Sequence, residues 1–210
     1  ASTKAYSVQL GLLYLLAIKI AAIRGQISPQ RELELTAALF SVPALDEKVL
    51  SDTDGIKHIA SEYMNADHAF FIGRSLDNAV SVEGSLKLKE ISYIHSEAYA
   101  AGELKHGTIS LIQDGVSVVA VATQYALIEK MFGNIREVKT RGARVLLVTQ
   151  EDITVPEGLA DEIIRIPKVD DFFAPLVAIV PLQLFAYYTA VLRGCDVDKP
   201  RNLAKSVTVE

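Results

Sequence analysis

Two hydrophobic rhythms divide the chain. Up to about residue 65 the apolar positions follow helical spacing punctuated by breakers. Residues 8–23 (VQLGLLYLLAIKIAAI) are apolar almost throughout; Ser2 or Thr3 can cap the helix they form, and Gly25 closes it. Ser28-Pro29 opens a second helix, with a capping residue followed by Pro at the first helical position, and Pro43 is expected to break it near Ser41. Residues 43–50 then read as a short helical piece, Asp52-Thr53-Asp54-Gly55 as a turn, and residues 56–65 as a helix. At His68 the rhythm changes. The short apolar runs HAFFIG (68–73), VSVVAVAT (116–123), RVLLVT (144–149) and residues 163–166 read as buried strands. Helical stretches separate them: a long charged helix after the loop Arg74-Ser75-Leu76, one over 124–140, and one over 170–193 that Pro175 and Pro181 should kink or delay. Such alternation predicts parallel βαβ units in a three-layer α/β domain with a mainly parallel sheet, preceded by a helical segment.

One helix departs from the usual single apolar stripe. In EGSLKLKEISYIHSEAYAAGELKHG (83–107), Glu83, Lys87 and Glu90 stand at i, i+4 and i+7 and fall in a narrow wedge. Val80, Gly84, Leu88, Ile91 and Ile94 flank the wedge on one side, and Val82, Leu86 and Tyr93 on the other. Lys89 lies apart, while Lys105 and His106 follow closely enough to reach the same region. One reading is an ordinary solvated Glu–Lys pair worth a few tenths of a kcal/mol. The other is a half-buried carboxylate beside an ammonium, the environment that tunes a general base.

Composition narrows the class. With 210 residues, 50% hydrophobic, the chain can fill one sizeable domain. Its net charge of −5, without a basic stripe, argues against nucleic acid as a partner. The single cysteine, Cys195, excludes an internal disulfide and suits a reducing cytoplasm. The apolar run at 8–23 is interrupted by Lys19 and is short for a membrane span, so a buried helix covered by a partner surface is expected rather than a signal peptide or anchor.

No GxGxxG follows a strand, no phosphate-loop GxxxxGK[ST] occurs, no nucleophile elbow is present, and no two histidines share a metal-ligand spacing. His58 and His68 read as residues at element ends, and His95 as a residue that orients the charged helix. Acid/base groups and ammonium groups remain: Glu83, Lys87, Glu90, Lys105, His106 and Lys205. This set suits a sugar aldose–ketose interchange. A base moves a proton between adjacent carbons, a second group opens the ring, and cations stabilise the enediolate charge. A phosphate on the sugar would position the reacting carbons.

The 83–107 motif, the terminal DVDKPRNLAKSVTVE and the opening ASTKAY together resemble glutamine–fructose-6-phosphate aminotransferase (isomerising), the glucosamine-6-phosphate synthase family, over nearly the whole chain. The resemblance implies a three-part layout: residues 1–56 from the end of a first sugar isomerase (SIS) domain and its linker, 57–195 as the second SIS domain, and 196–210 as an active-site tail. It also implies that the N-terminal glutaminase domain and the phosphate-holding loop of the first SIS domain lie outside this chain, which would then be a fragment with little or no activity alone. By position, the resemblance assigns the isomerisation base to Glu90 and an ammonium contacting the open-chain sugar to Lys87. It assigns the ring-opening imidazole, donated from the neighbouring subunit of a homodimer, to His106. Lys205 becomes the lysine meeting the fructose carbonyl, with Ser2 at the sugar's edge and Glu83 in support. Residues 196–210 otherwise read as a free polar tail; the resemblance makes Ala204-Lys205 a lid over the site. Fructose 6-phosphate and glucosamine 6-phosphate are the implied ligands, no cofactor is required, and a cytoplasmic location with no membrane partner is expected. Two other readings remain: a non-catalytic SIS sugar-phosphate sensor, and a phosphosugar isomerase or deglycase.

Overall fold

The computed structural model of the chain describes residues 2–203. Three helices come first: α1 (Thr3–Ile23), α2 (Pro29–Ser51) and α3 (Asp54–Tyr63). The α/β unit follows as β1 (His68–Gly73), α4 (Leu76–Ser92), β2 (His95–Ala100), two 3-10 turns (Ala101–His106 and Thr108–Leu111), β3 (Ser117–Ala122), α5 (Ile128–Lys139), β4 (Arg144–Gln150), β5 (Glu162–Ile166) and α6 (Ala174–Leu192). The five strands form one sheet in the order β2-β1-β3-β4-β5, and every pairing is parallel.

Alternation along the strands sorts the core into two layers. Phe71, Val119, Val121, Leu146 and Val148 face α3, α4 and α6, while Phe70, Ile72, Val118, Ala120, Val145 and Leu147 face α5 and the 101–106 turn. Both faces are covered, so β3 is buried along its whole length and reads as an unbroken apolar run. This is the expected three-layer arrangement.

Three local expectations change. The first is β2. HSEAYA carries no β-branched residue and sits at the sheet edge with a half-wet burial pattern, so its sequence lacks the signature of a strand. The second is Pro43, which lies inside α2 rather than ending the helix. Leu39, Val42 and Val49 are buried on the same helix, and this packing offsets the missing backbone donor at an exposed proline. Ser28 does cap α2, accepting a hydrogen bond from the Arg31 N–H at 3.1 Å. The third is α1, which is not a buried helix within the described residues. Tyr6, Leu10, Tyr14 and Ile18 form one stripe against the core, while Val8, Leu12, Leu13, Leu16, Ile20 and Ile23 are exposed. By length and composition alone, α1 and α6 are both apolar enough to cross a membrane, but α6 is a core helix here. As expected, Pro175 delays α6, whose helix starts at Ala174.

Asp46 on α2 is half-buried, and its Oδ1 has no hydrogen-bond partner among the described residues. Burial pushes this carboxyl up to about 6. The folded value lies above the unfolded one, so the group favours folding below the unfolded value and loses that contribution as pH rises through 6. Asp46→Asn is therefore expected to stabilise the protein by about 1 kcal/mol at pH 7, after discounting for its partial exposure, and by nothing near pH 4. Thermal unfolding at the two pH values checks this; an equal gain at both would contradict it.

Candidate active site

The charged residues of α4 are placed by two close approaches. At the end of β1 the chain turns sharply into α4 through Gly73, where a Cβ would lie 2.4 Å from the Asp77 backbone, so only glycine fits. Ser75 completes the turn with φ 53, in the region glycine favours. Lower on the helix, a Cβ at Gly84 would lie 2.8 Å from Leu182 Cδ1, so the absence of a side chain there lets α4 lie close on α6. Asp77, buried in the first turn of α4, accepts hydrogen bonds from the Thr123 N–H at 2.8 Å and the Thr123 hydroxyl at 2.5 Å. These bonds tie α4 to the end of β3 across the point where strand order reverses, which is where open parallel sheets usually bind ligands. Here that crevice is bridged by the protein's own carboxylate. Nothing in the sequence pattern distinguishes Asp77 from a surface residue.

One flank of the α4 wedge is buried as expected: Val80, Leu88, Ile91 and Ile94 belong to the core. The other is open, with Val82 52% and Leu86 39% exposed. Between them Lys87 is sunk into the fold, its side chain only 4% exposed, with Nζ 2.6 Å from Glu90 Oε2 and 3.4 Å from Glu83 Oε1. The Glu90 and Glu83 carboxylates keep 20% and 13% exposure, so they form the partly buried rim of a cluster whose cation is sunk deepest. Burial holds Glu83 above the usual carboxylate range, and Lys87 pulls it partly back. The cluster has one ammonium for two carboxylates, an excess of negative charge that favours taking up a proton.

Ser2 occupies the N-cap of α1, is exposed, and makes no capping hydrogen bond. Tyr6, one turn on, has its phenol raised first by burial and then by the charge of Glu83. The start of α1 therefore lies within electrostatic range of the cluster. In the sequence Tyr6 looks like any aromatic on an apolar helix. His106 and Lys105 end the 101–106 turn and are exposed. Among the described residues, no hydrogen bond or ion pair joins either of them to Glu83, Lys87 or Glu90. His95 is exposed at the start of β2, 3.6 Å from Glu97. Ala204 and Lys205 lie outside the described residues. No group of three or more metal-ligating side chains occurs among the described residues.

Residues 62–193 match the SIS domain, and the chain belongs to that family. It is 52% identical over all 210 residues to the glutamine–fructose-6-phosphate aminotransferase [isomerizing] of Caldanaerobacter subterraneus subsp. tengcongensis, of which it covers 34%. The chain thus spans about a third of the length of the curated relatives it matches. The solved C-terminal domain of glucosamine-fructose-6-phosphate aminotransferase from Francisella tularensis aligns at TM-score 0.91 and 36% identity, over 95% of this chain and 56% of that one. Glucosamine-6-phosphate deaminase from Thermotoga maritima aligns at TM-score 0.70 and 29% identity, over 100% of this chain and 58% of that one.

Proposed function

We propose that this chain is the second SIS domain, with part of the first, of an enzyme that makes glucosamine 6-phosphate from fructose 6-phosphate and glutamine-derived ammonia. The observation that carries the reading is the buried Lys87 ammonium held between the partly buried carboxylates of Glu83 and Glu90. The relatives named for this reaction support it. In this reading ammonia adds to the C2 carbonyl of the open ketose and water leaves. Glu90 then takes a proton from C1 and returns it to C2, while Lys87 stabilises the negative charge that develops between the two carbons. His106, exposed and without a hydrogen bond or ion pair to the cluster of its own chain among the described residues, opens the sugar ring in the neighbouring subunit of a homodimer. Lys205 meets the carbonyl, Ser2 and Ala204 border the sugar, and Glu83 fixes the Lys87 ammonium. Residues 1–56 complete a preceding SIS domain, which covers the exposed apolar side of α1, and residues 196–210 form the tail of the site. The glutaminase domain belongs to the rest of the parent chain, no cofactor takes part, and the enzyme works in the cytoplasm.

The likeness to a deaminase favours a second reading, in which the same cluster releases ammonia from an aminosugar phosphate. The intact protein separates the two. Formation of glucosamine 6-phosphate from fructose 6-phosphate and glutamine supports synthesis; ammonia release from glucosamine 6-phosphate, with no synthesis when glutamine is supplied, supports deamination. The 210-residue chain alone is expected to have little or no turnover, and robust synthesis by it would contradict the division of labour proposed here.

A further inference from the structure

Two buried residues anchor the turn that ends in His106. Ala101 and Leu104 belong to the core layer that also holds Met131, Phe132 and Ile135 of α5, whereas Lys105 and His106, at the end of the turn, are exposed. A third contact comes from Arg74, the first residue after β1. A Cβ at Gly102 would lie 2.9 Å from Arg74 Nη2, 3.4 Å from Cζ and 3.6 Å from Nη1, so the guanidinium rests against the turn where a side chain would otherwise stand. The Arg74 Nε–H donates to the Oδ1 of Asn134, a buried residue of α5, at 2.9 Å. Asn134 Nδ2 donates in turn to Glu137 Oε2 at 3.4 Å. Among the described residues the hydrogen-bond partner of Arg74 is this amide rather than a carboxylate. A guanidinium is a rigid planar fork, so fixing Nε fixes where the two Nη groups lie. Arg74 thus links three elements: the junction of β1 and α4, the helix α5, and the 101–106 turn.

We propose that Arg74 is a positioning residue that holds the 101–106 turn, and with it the His106 imidazole, in place for opening the sugar ring. The proposal deepens the functional reading above and rests on its assignment of ring opening to His106. Opening breaks the bond from C2 to the ring oxygen. The electron pair leaves with that oxygen, which takes a proton, while the anomeric hydroxyl loses one and becomes the C2 carbonyl. An imidazole that moves a proton in this step must stand within hydrogen-bond reach of the sugar. Gly102 precedes His106 by four residues, about 8 Å along a 3-10 axis. A turn free to shift at Gly102 therefore carries the imidazole with it, and a misplacement of about 1 Å can cost roughly a hundredfold in rate. Sequence alone does not show the link: Arg74 reads as one residue of a loop, and Asn134 as a polar position on a helix.

The test uses the intact protein in glutamine-dependent synthesis, with two ketose substrates. Fructose 6-phosphate is mostly a closed furanose. Its 5-deoxy analogue lacks the hydroxyl that closes that ring, so it needs no opening. Arg74→Ala should lower kcat/KM for fructose 6-phosphate about tenfold. For the analogue it should leave kcat/KM close to that of the unaltered protein. Arg74→Lys keeps the charge without the planar fork and should recover only part of the loss. His106→Ala should lower kcat/KM for fructose 6-phosphate about a hundredfold. Adding Arg74→Ala to it should cost nothing more, because the imidazole that Arg74 positions is already gone. The double variant carries the test if the analogue is not turned over, and Arg74→Lys and Arg74→Gln replace Arg74→Ala if that variant fails to fold. Unchanged kcat/KM in Arg74→Ala, equal losses on the two substrates, or a double variant whose loss is the product of the single losses overturns the proposal. His106→Ala separates the two levels. Its loss of synthesis with Arg74→Ala unaffected removes the positioning role alone, whereas its retention of full synthesis removes His106 from the functional reading.

Discussion

Replacing Glu90 with Gln is expected to cut glucosamine 6-phosphate synthesis by the intact protein about a thousandfold, while glutamine hydrolysis continues. The amide keeps the shape and most of the hydrogen bonding of the carboxylate but cannot accept the C1 proton. The range for a positioned general base, about 10²–10⁴, sets the size of the effect. Of the two carboxylates Glu90 is the more exposed, 20% against 13%, so it has the better access to a substrate while the Lys87 cation stays buried. A fall in kcat with little change in KM would show that the lost interaction belongs to the transition state. Synthesis retained within a few-fold would remove Glu90 from the role of base.

The second large effect is on stability. Lys87→Met is expected to destabilise the protein by about 3 kcal/mol at pH 7, because it leaves two half-buried carboxylates facing each other without their cation. The pH dependence follows from the sign of the change. Removing Lys87 takes away the influence that lowers Glu83 and leaves burial and the charge of Glu90, both of which raise it. Folded-state values that rise above the unfolded ones give stability that is present at low pH and lost as pH increases through them. The deficit of Lys87→Met should therefore shrink as pH falls toward 4, and adding Glu83→Gln should recover part of it at pH 7. Urea unfolding at pH 7 and pH 4.5 checks both points. A deficit independent of pH would mean that Lys87 contributes packing rather than charge.

What could be read in advance follows from where apolar burial is complete. HAFFIG, VSVVAVA and RVLLV are covered on both faces, so each is a continuous apolar run, and together they define the parallel sheet. The edge strand β2 has one side open to water and carries His95 and Glu97, so no apolar run marks it. Pro43 misleads because a local rule is outweighed by the buried positions around it on α2, which depend on distant contacts. The same division holds at the site. Spacing alone puts Glu83, Lys87 and Glu90 on one ridge. It cannot show that Lys87 is almost fully buried while the glutamates keep some exposure, because burial depends on packing between elements distant in sequence. Asp77 gains its role entirely from Thr123, a partner distant in sequence, and no local pattern announces it.

The most direct test of the account is a crystal structure of the intact protein with glucosamine 6-phosphate bound. The C1–C2 unit of the sugar is expected over α4, with a Glu90 carboxylate oxygen about 3 Å from it, as proton transfer requires, and the Lys87 ammonium still between Glu83 and Glu90. A sugar phosphate bound elsewhere, with the Glu90 carboxylate turned to bulk water, would contradict it.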